Sequence, residues 1–188
     1  MINIAIFASG SGSNAERIIT YFRNNSNVNF KFIITNKEDA YVRKRAELHD
    51  IPSLYYNSKQ LKSGDFLLKI LHETHIDWII LAGYLLLIPN EIIKTYPNRI
   101  INIHPALLPN YGGKGMYGMN VHKAVISNRE TESGISIHYV NEKYDEGNII
   151  FQAKCKIAET DDAESLAGKI HLLEHEHFPK VIESLIFN

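Results

Sequence analysis

Two polar side chains stand two residues apart where an apolar run ends, in the segment Asn102-Ile103-His104-Pro105. Because alternate residues of an extended chain face the same side, we expect the Asn102 amide and the His104 imidazole to point together. Two such hydrogen-bond donors can stabilise the oxyanion that forms during acyl transfer. A strand-end Asn/His pair is also typical of turn capping. The residues alone leave both interpretations open.

A carboxylate that could work with this pair is Asp145, which lies in the polar stretch of residues 141–147. A carboxylate near an imidazole raises the pKa of the imidazole and fixes its orientation, and it can relay protons. The alternative is a solvated turn residue that precedes Gly147. Both interpretations stay open at this point.

A glycine-rich turn, Gly10-Ser11-Gly12-Ser13-Asn14, follows the first apolar run and opens a helical pattern. Its glycines permit a tight turn, and N–H groups at the start of a helix can hold a phosphate. Together with Ala15, the turn satisfies the dinucleotide pattern G-x-G-x-x-G/A, but the next strand ends in Thr35-Asn36-Lys37, without an acid for a ribose diol. We therefore expect a single phosphomonoester rather than NAD, with a plain packing turn as the structural alternative.

The segment His171-Leu172-Leu173-Glu174-His175 matches the zinc-binding helix motif H-x-x-E-H, with two histidines at i and i+4. A protease of that kind needs a further ligand well downstream, and only 13 residues follow His175. We therefore predict no metal.

The apolar run of residues 81–89 is either the wall of a pocket for a flat aromatic ligand or plain core.

Short apolar runs alternate with helical patterns along the first half of the chain, as in βαβ units. Strands are predicted at residues 2–9, 29–35, 53–56, 78–82 and 100–103, and helices at 14–22, 41–48, 65–74 and 90–94. The strands are rich in Ile, Val, Leu and Phe, which indicates a sheet covered on both faces.

The second half of the chain has a different pattern. Residues 102–120 are predicted to form a long functional loop. Strands at 134–140 and 148–157 are expected to pair antiparallel, and an amphipathic helix that starts with Asp161 and Glu164 follows them. We predict a Rossmann-like three-layer α/β sandwich, mostly parallel with an antiparallel C-terminal strand pair, in one domain of residues 1–188.

Composition excludes several classes of protein. Hydrophobic residues make up 45% of the chain, charged residues 22%, and the formal net charge is -1, which does not suit a nucleic-acid binder. We expect no signal peptide and no membrane contact. Cys155 is the single cysteine, so no intramolecular disulfide can form and a reducing, cytoplasmic location is expected.

Taken together, these motifs resemble the phosphoribosylglycinamide formyltransferase family of folate-dependent transferases. The segments that carry the resemblance follow the family's order over essentially the whole chain: Gly10-Ser11-Gly12-Ser13-Asn14, Leu81-Ala82-Gly83-Tyr84, Asn102-Ile103-His104-Pro105-Ala106-Leu107-Leu108-Pro109, Asp145-Glu146-Gly147, and Glu174-His175 before Phe178-Pro179.

The resemblance implies transfer of the formyl group of 10-formyltetrahydrofolate, as co-substrate, to the amine of phosphoribosylglycinamide in purine biosynthesis. It implies a catalytic trio of Asn102, His104 and Asp145. The implied contacts to phosphoribosylglycinamide are Gly12, Ser13 and Asn14 at the phosphate and Glu174 at the ribose. The implied folate-binding residues are Leu85, Leu86, Leu87, Ile88, Asn102, Asn141, Glu142, Lys143 and Tyr144.

Three alternatives belong to other functional classes. A formyltetrahydrofolate hydrolase would pass the formyl group to water and release formate without an amine substrate. A zinc hydrolase built on His171 and His175 would hold stoichiometric metal. A non-catalytic nucleotide-sensing module would bind a phosphorylated ligand without turnover. Small-molecule substrates, no nucleic-acid partner and a monomer or homodimer are expected.

Overall fold

The computed structural model describes residues 1–187, which form two compact units, the first running from Met1 to Asn102 and the second beginning at Ile103. Within the described residues, no helix is both long enough and apolar enough to cross a membrane.

The N-terminal unit is built on parallel strands. Their bounds are β1 Ile2–Phe7, β2 Val28–Thr35, β3 Ser53–Tyr55, β4 Trp78–Leu81 and β5 Ile100–His104, of which the last two residues of β5 belong to the second unit. They are hydrogen-bonded in the order β3-β2-β1-β4-β5, and every pair is parallel. All four residues of the central strand β4 are buried, as expected when helices cover both faces of a parallel sheet.

The helices of this unit are α1 Ser13–Tyr21, α2 Val42–Leu48, α3 Ser58–Leu61, α4 Gly64–Glu73 and α5 Asn90–Thr95. The chain moves outward from β1 to β2 and β3, and then returns to β4 and β5 on the other side of β1. Because parallel crossovers are right-handed, this reversal places α1 and α2 on one face and the later helices on the other. The reversal also leaves the carboxyl ends of β1 and β4 side by side, where α/β sheets bind ligands.

The C-terminal unit combines two helices with an antiparallel strand pair. Its elements are α6 Met119–Ser127, β6 Glu132–Tyr139, β7 Ile149–Lys156 and α7 Ala163–Phe187. The register of the pair shifts between Ile137, which faces Phe151, and His138, which faces Ile149. This irregularity adds one residue to β7 directly opposite the end of β6, where the polar connection to β7 begins.

The predicted fold class is confirmed: the chain is α/β, mostly parallel, with an antiparallel pair in the C-terminal unit. Some local predictions were wrong. Helix α6 begins at Met119, inside the predicted loop, and the predicted cap residue Asp161 is replaced by Asp162, whose carboxylate accepts from the N–H groups of Glu164 and Ser165. Helix α7 buries Leu166 and Ile170 together with Glu174, Phe178 and Ile182.

Candidate active site

A cluster of three ionisable side chains lies in the C-terminal unit. His104 Nδ1 is 3.5 Å from Asp145 Oδ2, and His138 Nε2 is 3.6 Å from Asp145 Oδ1. The exposed fractions of the His104, His138 and Asp145 side chains are 4%, 2% and 11%. One nearly buried carboxylate therefore stands between two buried imidazoles, as the predicted pairing of His104 with Asp145 requires.

The connection between β6 and β7 places Asp145 by backbone geometry. Asp145 itself adopts a left-handed conformation with φ 57°, and its Oδ2 accepts a hydrogen bond of 3.0 Å from the Gly113 N–H. A Cβ on Gly147 would lie 1.7 Å from the Tyr139 carbonyl oxygen. Only glycine permits this close approach, so Gly147 fixes the path of the connection that carries the carboxylate.

The orientation of the His104 ring is set by the loop that follows β5. Its Nε2 lies 2.7 Å from the Tyr111 carbonyl oxygen. Since a carbonyl only accepts, Nε2 carries the hydrogen and Nδ1 faces Asp145. Tyr111 is held in turn, because its hydroxyl donates to Glu130 at 2.6 Å and accepts from the Asn128 amide at 2.9 Å.

Burial and charge act in opposite directions on this cluster. Burial lowers the pKa of His104, while the Asp145 charge and the Tyr111 carbonyl raise it; burial prevails, so this pKa lies below 6.5. Burial raises the pKa of Asp145, but the hydrogen bond from His138 and the charge of His104 outweigh it, and the net pKa lies below the usual value. The expected effect of Asp145 on His104 is thus present, and desolvation exceeds it.

Strand β5 carries Asn102 and His104 at alternate positions, as predicted. Asn102 is half-buried and pairs in register with Leu81, which in turn neighbours Phe7 at the end of β1. Two strand spacings separate the Cα atoms of Phe7 and Asn102 by about 10 Å. Within the N-terminal unit, the start of the glycine-rich turn and Asn102 therefore lie near the same edge of the sheet.

The glycine-rich turn packs tightly against α2. Gly12 has φ 76°, and a Cβ there would lie 2.3 Å from Val42 Cγ2. The Val42 N–H donates to the Gly10 carbonyl at 3.1 Å. Gly12 is the N-cap residue of α1 and has no side chain with which to cap the helix. The packing role of the turn is therefore visible, and the phosphate role of Gly12, Ser13 and Asn14 stays a prediction.

The two predicted folate segments are loops. In the N-terminal unit, Leu85, Leu86, Leu87 and Ile88 lie between β4 and α5, and the Leu85 N–H donates to Ser9 Oγ at 3.0 Å. Ile88 is buried and Leu87 is 41% exposed. In the C-terminal unit, Asn141, Glu142, Lys143 and Tyr144 lie between β6 and β7, where Asn141 Oδ1 accepts from the Lys143 N–H at 3.0 Å. Their folate contacts stay predictions.

Glu174, the predicted ribose contact, is buried on α7 with its Oε2 3.3 Å from His171 Nδ1. The His171 and His175 rings lie 4.5 Å apart between centroids. Among residues 1–187, no group of three or more His, Cys, Asp or Glu side chains is arranged to hold a metal ion.

Two buried histidines were missed by sequence reasoning, His122 on α6 and His138 on β6. His122 is electrostatically coupled to Glu174 and His104, and burial lowers its pKa. Neither belongs to a motif that we considered. The available signal was a lone histidine within an otherwise apolar pattern, as in Ile135-Ser136-Ile137-His138.

Comparison with known proteins adds independent information. Residues 2–182 match the sequence profile of the family described as formyl transferase. The chain is 38% identical to the chloroplastic phosphoribosylglycinamide formyltransferase of Arabidopsis thaliana over 97% of its length, and 36% identical to the phosphoribosylglycinamide formyltransferase of Bacillus subtilis over 99%. It spans 64% of the Arabidopsis protein, which is less than two thirds, and 95% of the Bacillus protein.

A solved structure agrees with the sequence comparison. The crystal structure of phosphoribosylglycinamide formyltransferase from Bacillus halodurans superimposes with a TM-score of 0.89 at 35% identity. The match covers 99% of this chain and 96% of that one.

Proposed function

The chain belongs to the formyl transferase family, and we propose that it transfers the formyl group of 10-formyltetrahydrofolate to the amine of phosphoribosylglycinamide, a step of purine biosynthesis. The observation that carries this proposal is the buried contact between His104 and Asp145 at the end of β5. Formyl-folate is the co-substrate in this family, and the names of the Arabidopsis and Bacillus relatives support the choice of amine.

The reaction is acyl transfer. The amine nitrogen attacks the formyl carbon, a tetrahedral oxyanion forms, and the bond from carbon to the folate nitrogen then breaks. Asn102 and His104 donate hydrogen bonds to the oxyanion, which is the largest stabilisation available to such an intermediate. Because Nε2 is bound to the Tyr111 carbonyl and Nδ1 faces Asp145, we assign the hydrogen bond to the oxyanion to Nδ1.

The proton of the attacking amine must reach the leaving folate nitrogen. Asp145, which stays ionised because its pKa is low, accepts this proton through water and returns it to the leaving group. His104 carries a hydrogen on Nδ1 only as the imidazolium. The developing oxyanion favours that charged form and offsets the burial that disfavours it in the free protein.

Binding roles follow the sequence predictions. Gly12, Ser13 and Asn14 hold the substrate phosphate at the start of α1, where backbone N–H groups and the helix dipole favour an anion. Glu174 contacts the ribose. The segments 85–88 and 141–144 contact the folate.

The domain organisation, the cellular location and the partners of the protein are also part of the proposal. The family profile runs through both compact units, which supports a single catalytic domain. A cytoplasmic location suits the single cysteine, although two plant relatives are named chloroplastic. Small-molecule substrates without nucleic acid or metal, and a monomer or homodimer, complete the proposal.

Incubation of the protein with phosphoribosylglycinamide and 10-formyltetrahydrofolate tests the function, with formylated product and tetrahydrofolate measured together. We expect both to appear in equal amounts. Formate release without the amine would instead indicate a hydrolase. Glycinamide riboside, which lacks the phosphate, should react with a much lower kcat/KM, because remote binding energy orients the amine. An equal kcat/KM for the riboside would contradict the phosphate site.

A further inference from the structure

His138 contacts the catalytic carboxylate without belonging to the predicted trio. It is the last but one residue of β6, directly after the register shift, and its side chain is 2% exposed. Its Nε2 faces Asp145 Oδ1 at 3.6 Å, while His104 Nδ1 faces Oδ2 of the same carboxylate at 3.5 Å. The two rings therefore hold the two oxygens of one carboxylate.

Backbone carbonyls decide where the hydrogens of these rings lie. His138 Nδ1 is 2.8 Å from the Tyr139 carbonyl oxygen, and His104 Nε2 is 2.7 Å from the Tyr111 carbonyl oxygen. Carbonyls only accept, so both of these nitrogens carry hydrogen. In neutral rings the two other nitrogens would present bare lone pairs to Asp145. Each contact becomes attractive only when the ring gains a second hydrogen.

We propose that His138 is a positioning residue for formyl transfer, which holds Asp145 Oδ1 so that Oδ2 stays directed at His104. This inference rests on the function proposed above. With Oδ1 held by His138 and Oδ2 also accepting from the Gly113 N–H, the carboxylate has one orientation in which it can exchange a proton beside His104. Misplacement of such a group by about 1 Å costs on the order of 10² in rate.

When His138 carries a hydrogen on Nε2, its hydrogen bond favours the ionised form of Asp145 and opposes the effect of burial on the pKa of Asp145. The charge of His138 acts in the same downward direction on the pKa of His104. Other charged groups around these residues are Glu174 of α7, which raises the pKa of His104, and His122 of α6, which is coupled to His104. Removal of His138 should therefore move both pKa values upward.

Two amide substitutions separate positioning from simple packing. In His138→Gln the amide nitrogen takes nearly the place of Nε2, so the contact to Asp145 is kept without a charge. In His138→Asn the amide takes the place of Nδ1, so the contact to the Tyr139 carbonyl is kept and the contact to Asp145 is lost. The matched control is His177→Gln in the same unit, where the ring packs against Phe151 with a centroid distance of 5.0 Å.

Steady-state kinetics and kcat/KM against pH are measured for all variants, with thermal melting to confirm that each is folded. We expect His138→Asn to lower kcat by about 10² with little change in KM, and His138→Gln to recover most of that loss. Both limbs of the pH profile should move to higher pH in the two His138 variants and stay in place in the control.

Equal kcat values for the two amide variants, or pH limbs that do not move, would overturn the inference. The proposed function would still stand in that case, provided that the wild-type protein catalyses formyl transfer. Absence of formyl transfer by the wild-type protein would overturn the proposed function and the inference together.

Discussion

The two units bury different kinds of polar side chain. In the described part of residues 1–102, the buried polar residues are the hydroxyl-bearing Ser9 and Thr35. The C-terminal unit buries the hydroxyl-bearing Ser133 and Ser136 as well, and in addition the ionisable side chains of His104, His122, His138 and Glu174. Ionisable groups lose hydration when they are buried, and a fold keeps them there only with compensating partners or a function. We therefore expect backbone-mediated binding in the first unit and proton chemistry in the second.

The largest effect is expected at His104. Replacement of His104 by Ala should lower kcat by about 10²–10³, because one donor to the oxyanion is lost. The matched control is His72→Ala on α4, an exposed histidine of the other unit. Steady-state kinetics with both substrates measures the effect. Near-normal turnover in the His104 variant would contradict a role of the C-terminal unit in proton chemistry, and the expected difference between the two units would then be wrong.

A smaller effect, on stability, is expected in the glycine-rich turn. Gly12→Ala should lower the free energy of unfolding by about 1–3 kcal/mol, because the residue has a left-handed conformation and its Cβ would collide with Val42. Gly10→Ala is the control, since a Cβ there meets nothing within 4 Å. Urea denaturation of both variants compares them. Equal stability of the two would show that the turn can relax away from α2.

The smallest effect concerns His122. Burial lowers its pKa below 6.5 in the folded protein, so the unfolded chain binds the proton first as the pH falls. Stability is therefore retained above 6.5 and declines below it. His122→Gln should show a smaller loss of unfolding free energy than the wild type between about pH 8 and pH 5. An unchanged pH dependence in the variant would mean that burial of His122 does not contribute to acid sensitivity.

Local patterns were sufficient to predict much of the N-terminal unit. The Ile/Phe-rich run before Gly10 predicted a strand, and the glycines and the pattern after them predicted a turn and a helix. The spacing of Asn102 and His104 predicted that the two side chains share one face of an extended segment. These predictions succeed because period and turn chemistry act within a few residues. The same local reasoning found Asp145 as a candidate but could not decide between a turn residue and a catalytic one.

The misses have physical causes as well. His138 and His122 interact with residues that are distant in sequence, so no local sequence pattern could identify them as site residues. Two adjacent acids precede α7, and either suits a cap; Asp162 caps the helix, while Asp161 accepts from the Ala158 N–H and pairs with Lys169. The glycines of residues 112–118 indicated a continuing loop, and α6 begins directly after the last of them, at Met119.

The close contact between Gly147 and the Tyr139 carbonyl restricts which amino acids can occupy position 147. The Tyr139 carbonyl oxygen accepts from the His138 ring and at the same time leaves no room for a side chain at position 147. Any substitution of Gly147 must push this carbonyl away and remove the contact that orients the His138 ring beside Asp145. In a selection for activity, position 147 should therefore tolerate as few amino acids as the proposed catalytic positions, although glycine has no group that could react.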